Sequence, residues 1–239
     1  MGRRKKGSGF MTVQANVLAL VQEAMEARRS NEALDTPLDA MGEAAMIDAA
    51  ARKVEELLDV LRIDHRNDHN TRDTPRRVAK MLVRELLKGR FAPPPELTEF
   101  RNAEEFDHLI VTGPIAVRST CAHHLMPIYG TAFIGILPAK GGNILGLSKY
   151  DRIVDHFAAR FQIQEELVKQ IGNFIVEATR PRGLAVRISA VHMCKTHRGV
   201  RAGHDSRMVN SSFHGEMLES RELREEFLRE CATLERSAR

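Results

Sequence analysis

Apolar residues recur with a helical period in the first part of this chain and with a strand period in its middle. Over 13–29, Val17, Leu18, Leu20, Val21 and Met25 predict a helix. Residues 31–42 hold Asn, Asp, Pro and Gly and predict a linker. Over 46–61, Ile47, Ala50, Val54, Leu57, Leu58 and Leu61 keep a 3.6-residue spacing, which predicts an amphipathic helix. Thr74-Pro75 marks the next helix start, with Thr74 as N-cap and Pro75 at the first helical position, where a missing N–H costs nothing. That helix runs through Val78, Met81, Leu82 and Leu86 and stops at Gly89, and Pro93-Pro94-Pro95 follows as a stiff loop.

The texture then changes. Residues 108–117 and 127–137 are rich in β-branched side chains and predict two strands, the first interrupted at Gly113-Pro114. Gly141-Gly142 predicts a turn, and Ser148 is expected to cap a helix over 149–160. A second helix is expected over 164–179, broken by Pro181-Arg182-Gly183. In 184–193, Leu184, Val186, Ile188 and Ala190 alternate with Ala185, Arg187 and Ser189, the strongest strand pattern in the chain. A short strand over 208–213 and a charged helix over 220–232 complete the order. Helices, two strands, two helices, two strands and a helix predict an α+β fold with antiparallel pairs rather than alternating βα units. No internal repeat is visible.

Composition narrows the class. The 239 residues are 43% hydrophobic, ample for a core. No run of 18 apolar residues is present and the N-terminus has no apolar h-region, so no membrane partner and a cytoplasmic setting are expected. The net charge is +4, but Arg3, Arg4, Lys5 and Lys6 lie in a first decade that holds no acid, so the rest is balanced. The basic character belongs to the tip and does not argue for a nucleic-acid partner. The expected divisions are a disordered basic tip over 1–12, a helix and linker over 13–45, and a main domain over 46–239 that begins with helices.

The chemistry sits between the strands. Cysteine is scarce, with three in the chain, and two of these stand beside histidines: Cys121-Ala122-His123-His124, and His192-Met193-Cys194. Cys121 and His124 are three apart, so one turn of backbone brings both to one ion, and Cys194 adds a second thiolate from a distant segment. Two thiolates and one imidazole leave tetrahedral zinc one ligand short, which is the catalytic form; structural sites are closed. A closed structural zinc would need His123 or His192 as fourth ligand. A Cys121–Cys194 disulfide is the other competing use of the pair, opposed by the odd cysteine count and the lack of a secretory pattern. Cys231, with no histidine near it in sequence, reads as a bystander.

Several motifs together resemble the GTP cyclohydrolase I family: Ser119-Thr120-Cys121-Ala122-His123-His124, Gly146-Leu147-Ser148-Lys149, Gln162-Ile163-Gln164-Glu165, and His192-Met193-Cys194 with Arg198-Gly199. Upstream, residues 73–81, from Asp73-Thr74-Pro75-Arg76-Arg77 to Met81, resemble the same family's helical segment. The similarity spans roughly 46–230. It implies a tunnelling fold (T-fold), an antiparallel sheet with two helices between strand pairs behind an N-terminal helical extension. It also implies a homodecamer with active sites between subunits. The implied reaction is hydrolytic opening of the guanine imidazole ring of GTP, with release of formate and formation of 7,8-dihydroneopterin triphosphate for pterin and folate-type biosynthesis.

Carried over by motif, Cys121, His124 and Cys194 are the zinc ligands, and His123 and His192 the acid–base pair. A triphosphate with about four negative charges calls for cations and helix starts. By resemblance Ser148, Lys149, Arg152 and Arg198 face it, with Arg77 and Lys80 from a neighbouring subunit. Glu165 matches the acceptor for guanine N1–H and the 2-amino group, with Gln164 beside it and Leu147 lining the pocket. Two departures stand out. The family usually has Glu where this chain has Ala122, and often a Ser/Thr-rich strand where this chain reads Gly203-His204-Asp205-Ser206-Arg207-Met208-Val209-Asn210-Ser211-Ser212. Two other functions fit less of this. One is a divergent T-fold paralogue that acts on another purine nucleotide or stops at the ring-opened intermediate. The other is a non-enzymatic assembling or regulatory module with structural zinc.

Overall fold

A computed structural model describes residues 29–237. The helix expected over 13–29 and the tip over 1–12 lie outside the described residues, except for Arg29. The chain divides between Pro93 and Pro94 into two compact units.

In the first unit, α1 (Ala40–Val60) starts six residues earlier than its apolar period indicates, because Asp39 caps it and accepts from Gly42 N at 2.7 Å. α2 (Thr74–Met81) has Asp73 at its N-cap position, not Thr74, and no side-chain cap bond; Pro75 sits in the first turn as expected. The helix does not run straight to Gly89. It widens into a π-helical turn over Leu82–Leu86, and a short α3 (Lys88–Phe91) takes in Gly89. Ile47 and Ala51 of α1 pack against Ala79 and Val83. Leu57 and Leu61, on the expected apolar stripe, are instead exposed in this chain.

The second unit holds a five-stranded sheet. Its strands are β2 (Ile110–Cys121), β3 (Pro127–Leu137), β5 (Phe161–Gln162), β6 (Gly183–His192) and β7 (Arg207–Gly215), ordered β5-β2-β3-β6-β7. All neighbours are antiparallel except the two-residue β2–β5 pair. β1 (Glu99–Arg101) and β4 (Asn143–Leu145) form a separate two-stranded ribbon. Between the strand pairs lie α4 (Leu147–Ala158) and α5 (Gln164–Thr179), the latter with the bounds the sequence predicts. α6 (Met193–Thr196) follows β6, and α7 (Glu216–Glu219) and α8 (Arg221–Ser237) follow β7.

The alternation in β6 sorts residues between two cores. Leu184, Val186, Ile188 and Ala190 join Ile128, Ala132, Ile134 and Ile136 of β3 beneath α4 and α5. Ala185 and Phe133 point the other way, into a smaller cluster with Met217, Phe227 and Cys231 under α8. Both faces of β6 are therefore buried along most of its length. Two glycines permit close approach. A Cβ on Gly135 would lie 2.6 Å from Phe227 Cδ2, and one on Gly113 would lie 2.5 Å from Phe133 Cδ1. Gly113 sits in the register shift between Thr112 and Ile115, which is the expected interruption of β2.

Candidate metal centre and catalytic site

β2 ends on Cys121, 4% exposed, at the rim of the larger core. The next residues turn back into β3. Cys121 N donates to Met126 O at 2.8 Å, Leu125 N to Cys121 O at 2.9 Å, and Ala122 N to Gln162 O at 3.0 Å. Leu125 takes the left-handed conformation at φ 53°. That conformation costs an L-residue about 1–2 kcal/mol, and such strain recurs at functional sites. The tight turn leaves His123 and His124 exposed, their ring centroids 6.2 Å apart.

β6 ends on His192, and Cys194 follows in the first turn of α6, half-buried. Because β2 and β6 both run antiparallel to β3, which lies between them, they end at the same end of the sheet here. One ligand atom from each of Cys121, His124 and Cys194 lies within 4.8 Å of the others. All three cysteines are free thiols, so the competing disulfide does not form. Among the described residues, no further His, Cys, Asp or Glu joins the group. His123 Nδ1 is 3.9 Å from Cys121 Sγ, beside the cluster rather than in it. His192 Nε2 lies 2.7 Å from Gln164 Oε1.

The donor set fits zinc. Zn–S and Zn–N bonds of about 2.3 and 2.0 Å in a tetrahedron put ligand atoms roughly 3.5–3.8 Å apart, so the three atoms need close by only about an ångström. Burial, then the neighbouring Cys121 thiol, raise the Cys194 thiol above the usual cysteine range; the Arg198 charge pulls the other way. A metal bound at Cys194 would have to displace the thiol proton. Burial lowers the His192 ring below the usual histidine range, the Glu165 carboxylate opposes this, and the Lys195 ammonium adds to the fall.

Glu165 thus acts electrostatically on His192, and Arg198 on Cys194. Glu165 is exposed on the first turn of α5. Gln164, just before it, is 1% exposed and is engaged on all sides within the chain. Leu147, Ser148, Lys149 and Arg152 lie on the first two turns of α4. Gly146 is its N-cap residue; Ser148 is the second helical residue and makes no cap bond, contrary to the expected role. Leu147 is 70% exposed, and Lys149 Nζ donates to Glu96 O at 2.9 Å. Arg77 and Lys80 lie on α2 in the first unit, both exposed, with Arg77 3.3 Å from Asp73. Sequence reasoning passed over Lys195, whose Nζ donates to Ser206 Oγ at 2.9 Å, and did not single out Asn210, which bonds to Gln164. The signal for Asn210 was a polar residue at a helix-facing strand position.

Comparison with known proteins places this chain in a family. A family model described as GTP cyclohydrolase I matches residues 50–232. Curated relatives named GTP cyclohydrolase 1, from Salmonella choleraesuis (strain SC-B67) and Salmonella arizonae, are each 34% identical over 212 residues, covering 88% of this chain and 94% of theirs. A solved structure titled archaeosine synthase QueF-Like in the apo form aligns at a TM-score of 0.33 and 14% identity, over 52% of this chain and 97% of that one; so loose a superposition carries no argument. By the family match and the relatives, the chain belongs to the GTP cyclohydrolase I family, and its α+β architecture is the tunnelling fold of that family.

Proposed function

We propose that this protein hydrolyses GTP to formate and 7,8-dihydroneopterin triphosphate, with net consumption of one water, as a zinc-dependent cyclohydrolase. The observation that carries this is the three-donor cluster at the ends of β2 and β6, in a chain of this family. Cys121, His124 and Cys194 would hold the zinc. Bound zinc supplies Lewis acidity that brings the pKa of water to about 7. The three-donor set, with no fourth donor among the described residues, favours a catalytic over a closed structural site.

His123 and His192 serve as the acid–base pair, taking up and returning protons at the ring nitrogen released when the bond to C8 opens. Imidazole suits that exchange near neutral pH. The 3.9 Å approach of His123 to Cys121 and the position of His192 two residues before Cys194 support the assignment. Glu165 accepts from guanine N1–H and the 2-amino group, supported by its exposure and its coupling to His192. Gln164 supports that end of the site from within, and Leu147 lines the base. Ser148, Lys149, Arg152 and Arg198 receive the triphosphate, with Arg77 and Lys80 from a neighbouring copy in a homodecamer. The setting is cytoplasmic; no described helix is long and apolar enough to cross a membrane.

The test is incubation of purified, metal-quantified protein with GTP, assaying formate directly and the pterin by fluorescence after oxidation and dephosphorylation. Both products are expected together. Formate without pterin would replace the full cycle with ring opening alone. Neither product, with stoichiometric zinc bound, would overturn the reading in favour of the divergent paralogue or the structural module.

A further inference from the structure

Asn210, in the segment that departs from the family's usual composition, reaches the site. It pairs with Ile188 across β6 and β7, and Ser212 and His214 pair with Val186 and Leu184. These three polar residues therefore share the sheet face that carries α5. The Asn210 carboxamide meets Gln164, the first residue of α5, twice. Gln164 Nε2 donates to Asn210 Oδ1 at 2.7 Å, and Asn210 Nδ2 donates to the Gln164 main-chain oxygen at 3.3 Å. Gln164 Nε2 also faces the carbonyls of Ile188 and Met208, each at 3.2 Å, while its Oε1 lies 2.7 Å from His192 Nε2.

A carboxamide can be built either way round, so its orientation must be argued from its partners. Here the carbonyls decide it. Ile188 O and Met208 O only accept, so the Gln164 nitrogen must face them and its oxygen must face His192. Gln164 O likewise only accepts, which puts the Asn210 nitrogen toward it and the Asn210 oxygen toward Gln164 Nε2. With a carboxamide oxygen as neighbour, His192 Nε2 must carry the hydrogen. In the neutral ring Nδ1 is then the atom with a free lone pair. The Gln164 amide has two hydrogens and three acceptors, and the Asn210 contact is the shortest of the three.

We infer that Asn210 is a positioning residue for His192: acting through Gln164, it holds the imidazole in one orientation and one tautomer. It bonds to Gln164 rather than to a reacting atom. The inference rests on the acid–base role proposed above for His192. A purely structural staple between β7 and the start of α5 would use the same two bonds, so the test must read the ring itself.

The variants are N210A, which removes both bonds, and N210D, which keeps the acceptor for Gln164 Nε2. In zinc-loaded N210A, kcat for formate release is expected to fall about tenfold, a fraction of what a positioned acid–base group contributes. KM for GTP should stay within about twofold and zinc content should stay at the wild-type level. N210D should recover most of the lost rate. In parallel, magic-angle-spinning ¹⁵N spectra of histidine-labelled protein, with H192Q supplying the assignment, should show the Nε2–H tautomer of His192 in the wild type and a mixture in N210A. An unchanged kcat and ring spectrum in N210A overturns the inference. So does a change confined to KM, which would mark a substrate contact, or a loss of zinc, which would mark a role at the metal. If N210A fails to fold, N210S decides by the same readouts, since serine is too short to reach Gln164 and suits a strand that already carries Ser211 and Ser212. If wild-type protein does not turn over GTP, the proposed function fails alone, and the ring spectra still decide the positioning role.

Discussion

Cys121 and Cys231 are both buried, at 4% and 3% exposure, and each belongs to one of the two apolar clusters on either side of the sheet. Around Cys231 lie Phe133, Ala185, Met217 and Phe227. Burial there pushes the thiol up to about 12, so it stays protonated and behaves as a small hydrophobe. Cys121 is as deeply buried but stands at a strand end, with a second thiol and an imidazole within 4.8 Å. The difference is not depth. A thiol becomes a metal ligand when other donors converge on it, and the ends of β2 and β6 converge where the α8 side of the sheet does not.

The largest test of this contrast is C194S against C231S. C194S should lose stoichiometric zinc, and with it GTP turnover, whereas C231S should keep both; elemental analysis and formate release report the outcome. Zinc loss in C231S would end the comparison. Next is H123A, which should keep its zinc while turnover falls by about a hundredfold or more. Loss of stoichiometric metal would instead make His123 a ligand. E165A is the third: it should weaken guanine nucleotides by about tenfold or more, as expected for a lost charged hydrogen bond, and leave adenine nucleotides unaffected. Calorimetric titration with both nucleotides reads this, and equal losses would remove Glu165 from base recognition. The smallest effect on the site is expected from G135A, placed in the other region. The added methyl would meet Phe227 at 2.6 Å and cost about 1–3 kcal/mol of unfolding free energy. Turnover should remain near wild type; denaturant unfolding that matched the wild type would show that α8 yields easily.

The regions differ also in how far they could be read from sequence. The convergence of Cys121, His124 and Cys194 was legible because these residue types are rare and their spacing restrictive: Cys121 and His124 lie one turn apart, and Cys194 falls just past the strand with the strongest alternation. The end of α5 was legible because Pro181-Arg182-Gly183 breaks the helix just after Arg180, its left-handed C-cap. What failed was local backbone chemistry without an apolar signature. The Asp39 cap lengthens α1 at its start, Asp73 displaces Thr74 as N-cap, and the π-helical turn over Leu82–Leu86 keeps a helix-like hydrophobic pattern while changing its hydrogen bonding. β1 and β4 have only three residues each, too few for alternation to show. Asn210 stood in the segment already marked as a departure, but its partner was hidden for another reason. Its partner, Gln164, is 46 residues away, and only the β6–β7 register brings them together.

Main-chain bonds from Cys121 to Met126 and from Leu125 to Cys121 close the turn after Cys121, and one from Ala122 to Gln162 ties it to β5. The Ala122 side chain takes part in none of these bonds. Residue 122 occupies a slot whose outline is drawn by amides and carbonyls, so exchanging a carboxylate for a methyl there alters the charge beside the three-donor cluster without removing the bonds that shape the loop. Such a turn lets the chemistry of a site vary one side chain at a time while its scaffold stays constant.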